Sequence, residues 1–151
     1  MKKILSVFLI LAMLASSLVM FSACGDKGGD ENELKPIAMS EIKVGFIFLH
    51  DENSTYDKNF MDAANEAKKA LGLRDDQVIM KTNIEEGQGC KTAADELVKA
   101  GCNVIFADSF GHEDFMIEAA TEYKNVQFCH ATGTKAHTAN LANFHNAFAS
   151  I

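Results

Sequence analysis

The chain has 151 residues, 48% of them apolar, with 14 basic and 21 acidic side chains and a formal charge of −7. That length fits one domain with a real core. The acidic balance speaks against nucleic-acid partners, whose binding rests on Lys and Arg neutralising phosphates. One Pro and no Trp argue against a Pro-rich linker protein or a Trp-lined carbohydrate groove.

Lys2 and Lys3 precede an uncharged stretch from Ile4 to Phe21, closed by Ser22, Ala23, Cys24 and Gly25. A basic start, an apolar run and small residues at its end describe a secretory signal, although a run of this length also just spans a bilayer. Cys24 decides between them. Phe21-Ser22-Ala23-Cys24 resembles a bacterial lipobox, with Phe21 where Leu is usual; the Cys thiol of such a motif is acylated before cleavage. Residues 1–23 therefore read as a lipoprotein signal peptide, with Cys24 as the lipidation point. Residues 24–40 begin polar and Gly-rich and read as a flexible tether, reaching on the order of 20 Å. The expected location is the extracytoplasmic face of the cell membrane, held by acyl chains on one Cys.

From Ile42 the pattern alternates. Ile42 to Leu49 is a near-continuous apolar run, as in a parallel strand covered on both faces. Phe60, Ala63, Ala64, Ala67, Ala70 and Leu71 then fall at helical spacing, with Asp57 as the expected N-cap and Gly72 as the stop. Gln77 to Lys81 reads as a second strand. Ala93, Ala94, Leu97 and Val98 mark a second helix ending at Gly101. Asn103 to Ala107 reads as a third strand, and Phe115, Met116, Ala119, Ala120 and Tyr123 mark a third helix. Val126 to Cys129 reads as a fourth strand. Leu141 to Phe144 offers a short fifth, and Asn146 onward reads as the start of a further helix. The class is α/β, a doubly wound parallel sheet. Cys90 and Cys102 flank one helix, about 18 Å apart at about 1.5 Å per residue, too far to bridge.

Such sheets bind ligands beyond the carboxyl ends of their strands. That rule gathers four loops: His50 to Asp57, Asn83 to Glu86, Asp108 to His112, and His130 to Thr134. The first contains no Gly, so a dinucleotide fingerprint is excluded. Gly87-Gln88-Gly89 lacks the Lys and Ser/Thr of a P-loop. His112, His130, His137 and His145 lack zinc-ligand spacing. No nucleophile elbow occurs. One alternative of a different class is a phosphoryl-accepting receiver domain, with Asp51 and Glu52 as the acid pair, Asp108 as acceptor and Thr132 as hydroxyl. The Lys expected at the end of a fifth strand is missing. The remaining reading is a binding module without enzymatic activity, cofactor or metal. Tyr56 and Phe110 are its stacking aromatics. Asp51, Asp57, Asp108, Ser109, His130 and Thr132 supply hydrogen bonds, and so many carboxylates favour a neutral polyol or nucleoside over an anion.

Lys43-Val44-Gly45-Phe46-Ile47, Ser54-Thr55-Tyr56-Asp57, Ala107-Asp108-Ser109-Phe110-Gly111 and Gln127 to Gly133 together resemble the basic membrane protein family. These are PnrA-like substrate-binding lipoproteins of ABC importers. The resemblance covers residues 42–151. It implies the N-terminal lobe of a type I periplasmic-binding-protein fold over residues 41–151, with the second lobe absent. It also implies capture of a purine nucleoside for an ABC permease, with a ribose-receptor type of sugar binding as the nearest alternative. Where the family commonly carries Ser-Phe-Asn, Thr55-Tyr56-Asp57 keeps a stacking face but reverses part of the hydrogen-bond pattern.

The anchoring expectation has a direct test, since a thiol is required for acylation. Cys24→Ser should lose incorporation of a palmitate analogue in metabolic labelling; unchanged label would remove the lipoprotein reading.

Overall fold

Strands covered on both faces are apolar throughout, and the apolar runs form one parallel sheet. The structure is a computed structural model that describes residues 33–147. The signal peptide, Cys24 and most of the tether lie outside the described residues. The strands are β1 (Val44–Ile47), β2 (Val78–Lys81), β3 (Val104–Ala107), β4 (Gln127–His130) and β5 (Phe144–Asn146), in the order β2-β1-β3-β4-β5. The helices are α1 (Thr55–Leu71), α2 (Gln88–Lys99), α3 (Glu113–Glu122) and a short α4 (Ala136–Ala139). After β1 the chain goes to β2 on one side, then crosses to β3 on the other. The crossover direction therefore reverses at β1 and β3, which pair in register from Val44↔Val104 to Ile47↔Ala107.

Side chains alternate across each strand. On one face Ile47, Ile105, Phe128 and Phe144 are fully or almost fully buried against Ala94 and Leu97 of α2 and Met116, Ala119 and Ala120 of α3. Lys91, itself buried, ties α2 to α3 by reaching Asp95 at 2.5 Å and Glu122 at 2.8 Å, over the Tyr123 ring. On the opposite face Phe46 stacks on Phe106, with centroids 5.3 Å apart, and lies parallel to Phe48 at 5.9 Å. Along that face Phe60, Ala64 and Leu71 of α1 line a cleft of about 370 Å³ with these rings. Helices thus lie on both faces, as the alternating pattern implies.

The N-cap of α1 is Ser54, whose hydroxyl accepts from the Asp57 amide; Asp57 is the third helical residue. Gly72 ends the helix at φ 66°, as expected. The fifth strand starts at Phe144, and the Asn143 carbonyl just before it already accepts from the Phe128 amide of β4. The buried Asn143 side-chain amide lies within 3.0 Å of the Ala120, Tyr123 and Val126 carbonyls, closing the end of α3. Asn146 is in β5 rather than a helix. At the other end, the buried Gln77 donates to the Met39 and Ile42 carbonyls, so the expected tether is already held against the domain by Met39. Among the described residues Cys90, Cys102 and Cys129 are free. No described helix is long and apolar enough to cross a membrane.

Gly45 lets β1 approach α2. A Cβ there would sit 2.8 Å from Leu97 Cδ1 and 3.0 Å from Cδ2. Gly45→Ala should destabilise the domain by about 1–3 kcal/mol in urea unfolding. The loss should be smaller in a Leu97→Val background than simple addition gives.

Candidate functional site

The first turn of α1 is built around one carboxylate. Asp57 accepts from the His50 amide at 3.0 Å, the His50 ring at 3.1 Å and the Ser54 hydroxyl at 2.5 Å. Burial alone would raise its pKa, but the hydrogen bonds from Ser54 and from both His50 groups outweigh burial and bring it to about 2. Asp57 is therefore ionised, although only 1% exposed.

The second carboxyl comes from the neighbouring strand. The Asp108 amide donates to Ile47 across the end of the β1–β3 ladder, and its Oδ1 accepts from the Leu49 amide at 3.3 Å. Among the described residues Asp108 Oδ2 has no hydrogen-bond partner. Burial, then the negative charge of Asp57 nearby, push its pKa up to about 7. Two carboxyls in one buried space resist double ionisation, and the better-solvated one by hydrogen bonds keeps the charge. Asp108 holds its proton into the neutral range.

Beyond Asp108 the loop is gripped from three other loops. The Asp108 carbonyl accepts from the Tyr56 hydroxyl at 3.2 Å and the Thr132 hydroxyl at 3.3 Å. The Ser109 carbonyl accepts from His130 Nε2 at 2.6 Å. Ser109 Oγ and the Gly111 amide both donate to Glu86 Oε1, at 2.5 and 3.0 Å. His112 Nε2 donates to the Ile84 carbonyl at 3.0 Å. Only the Phe110 side chain is left out of this network. It is 65% exposed.

The eight sequence-derived site residues divide by position. Tyr56, Asp57, Asp108, Ser109, His130 and Thr132 meet in one network with Phe110 at its surface. Tyr56 is half out of the network, its ring against the edge of Phe60 at a centroid distance of 5.1 Å. Asp51 stands apart and accepts from the Asn53 amide and side chain. His130 is fully buried under the loop rather than at the surface. Burial lowers its pKa, with opposing effects from the Ser109 hydrogen bond and Glu113, so the ring is neutral and supports the backbone. Sequence reasoning gathered His50, Ser54, Glu86 and His112 within the converging loops without assigning them a site role, and it passed over Glu113. Glu113 is 2% exposed and accepts from the Lys135 amide and from Asn146. Glu86, His112 and Glu113 act on residues distant in sequence, whereas His50 reaches Asp57 seven residues on and the Ser54 cap, with its Ser-x-x-Asp spacing, was a usable signal.

The edge thus presents an aromatic face beside buried polar groups, a suitable arrangement for holding a flat, hydroxylated molecule. It does not suit phosphoryl transfer. Asp108, the would-be acceptor, is 2% exposed and engaged by Leu49, while Asp51 turns to Asn53. Among the described residues no group of three or more His, Cys, Asp or Glu is arranged to hold a metal ion.

No family model matches the chain. It is 33% identical over 113 residues to a purine-binding protein of Brucella abortus (strain 2308), a match covering 73% of this chain and 31% of that protein. The chain thus spans about a third of that relative's length. In fold it is similar to an ABC transporter solute-binding protein from Conexibacter woesei DSM 14684, with TM-score 0.59 and 16% identity over 70% of this chain and 34% of that one. It is also similar to a transcriptional activator of the comK gene from Bacillus halodurans, with TM-score 0.52 and 19% identity over 60% of this chain and 30% of that one. These likenesses establish an α/β fold shared with part of a solute-binding protein.

The carboxyl pair sets a pH dependence. Asp108 titrates at about 7 in the fold against an ordinary value of 3.8, so the folded state keeps a proton that the unfolded chain loses. Its contribution to stability therefore falls as pH rises from about 4 to about 7, then levels. Asp57 has the opposite sign, its contribution present above about 4 and lost as pH falls towards 2. Asp108→Asn should gain stability relative to the parent across the interval from about 4 to 7, read from urea midpoints. A constant difference over that range would mean that Asp108 ionises normally.

Proposed function

We propose that the chain is the solute-capturing part of an ABC importer's binding protein, taking a purine nucleoside. The observation that carries this reading is the Phe110 ring, exposed on a loop whose polar groups are otherwise tied down. An aromatic with no packing role at the carboxyl edge, at the point where crossover direction reverses, is where an open α/β sheet takes its ligand. A purine stacks on Phe110 from above, while Asp108, buried beneath the loop, supports the strand end from which Phe110 is presented. Asp57 acts behind it, holding Asp108 neutral. Tyr56 and Thr132 fix the carbonyl from which the loop departs.

The similarity to a purine-binding protein supports the base class, and the likeness to a solute-binding protein supports capture over catalysis. The sequence motif at Cys24 supports a lipid anchor at the extracytoplasmic face, with delivery to a membrane permease. In this reading the protein is a PnrA-like member of the basic membrane protein family.

Mass spectrometry of small molecules carried through purification is the first test, and a nucleoside is expected. With protein expressed from its complete reading frame, calorimetry should then show Phe110→Ala weakening adenosine by about 1–3 kcal/mol, the range for base–aromatic stacking. Unchanged affinity in that variant would remove Phe110 from the site. No heat with any purine nucleoside would remove the ligand class.

A further inference from the structure

Phe110 has neighbours on both sides that meet a single atom. Ser109 Oγ and the Gly111 amide both donate to Glu86 Oε1, which arrives from the β2–α2 loop. The approach is close enough that a Cβ on Gly111 would collide with the Glu86 carboxylate. The other grips act on different parts of the loop: Tyr56 and Thr132 on the Asp108 carbonyl, His130 on the Ser109 carbonyl, and His112 on Ile84. Glu86 joins the Ser109 hydroxyl to the Gly111 amide across Phe110, while the Ser109 carbonyl is also held by His130 and by the His112 amide. Hydrogen bonds from Ser109, then Gly111, hold its carboxyl below the usual range, so it is an ionised acceptor.

We infer that Glu86 is the positioning residue for Phe110, pinning Ser109 and Gly111 so that the ring stands ready as the stacking face of the site. This rests on the solute-binding reading for its purpose, though not for its geometry. A loop that wanders must be ordered when the ligand arrives, and that entropy is subtracted from affinity. A loop tied at Ser109 and Gly111 has already lost backbone freedom, which fixes the point from which the ring projects. Glu86 itself is exposed, so its removal costs little core packing. Glu86 also stands just before α2, whose N-cap is Gly87. A carboxylate there also favours the helix through its dipole, and a test must separate the two roles.

The two roles part at Glu86→Gln. The Gln side-chain carbonyl still accepts from Ser109 and Gly111 but carries no charge for the helix dipole. The chain contains no Trp, so Phe110→Trp introduces a single tryptophan at the position in question, excited selectively over the two tyrosines. In that background Glu86→Ala should about double the fast-decaying share of time-resolved anisotropy, which reads ps–ns side-chain motion. Glu86→Gln should restore it nearly to the parent value. With Phe110 in place, Glu86→Ala should weaken adenosine about tenfold, while Glu86→Gln stays within about twofold. If neither substitution changes the anisotropy, or both change it equally, Glu86 does not position the ring. If the anisotropy responds as expected but the parent binds no nucleoside, the positioning role stands and the choice of solute falls. If adenosine binds the parent and Glu86→Ala equally, the pinning has no part in binding, and the inference is overturned.

Discussion

The parallel pairing of β1 with β3 is the constraint on which the site depends. That ladder runs in register to Ile47↔Ala107, so the next residues of both strands must leave the sheet side by side. The Asp108 amide closes the last rung on the Ile47 carbonyl, and the Asp108 carboxyl then receives the Leu49 amide. A strand end would otherwise leave these donors unpaired in a buried place, at a cost of about 1–3 kcal/mol each. The carboxyl is therefore part of how the sheet ends, as well as part of the surface the sheet presents.

A buried carboxyl in that place needs a way to stay neutral or a cation beside it. The chain uses a second carboxyl instead. Asp57 takes the negative charge because the cap of α1 and both His50 groups are aimed at it. Asp108 beside it then keeps its proton. The helix start and the strand end are coupled through this pair, with Tyr56 adding a hydroxyl from the helix to the Asp108 carbonyl. The result is an edge whose backbone is supported by buried groups, while the Phe110 ring faces outward. Stability and presentation arise from the same bonds.

Much of the architecture was legible because its causes are local or periodic. Strands buried on both faces must be apolar throughout, so Val44 to Ile47 and Val104 to Ala107 announced themselves. Ala93, Ala94 and Leu97 mark the inward stripe of α2 at helical spacing, and all three are buried. The boundaries that slipped did so for long-range reasons. Leu141 to Phe144 looks like a strand by composition, yet the strand is Phe144–Asn146, and the Asn143 side chain before it closes the end of α3. Asp57 has the chemistry of an N-cap, but Ser54 reaches that position first and Asp57 serves His50 and Asp108 instead.

The order of residues along the chain determined which polar groups would crowd one edge, because each loop after a strand in a parallel sheet emerges on the same side. It could name Asp57, Asp108, Phe110 and Thr132 as neighbours without a structure. Their division of labour was decided by tertiary contacts. His130 and Phe110 are both ring-bearing residues near strand ends, and nothing local distinguishes them. One is fully buried and holds a carbonyl, while the other is 65% exposed. Glu86 shows the same limit, since its partners lie 23 and 25 residues away and no spacing rule connects them. A hydrogen bond between loops carries no periodic signature. It exists only once the sheet has set the distance between its strand ends.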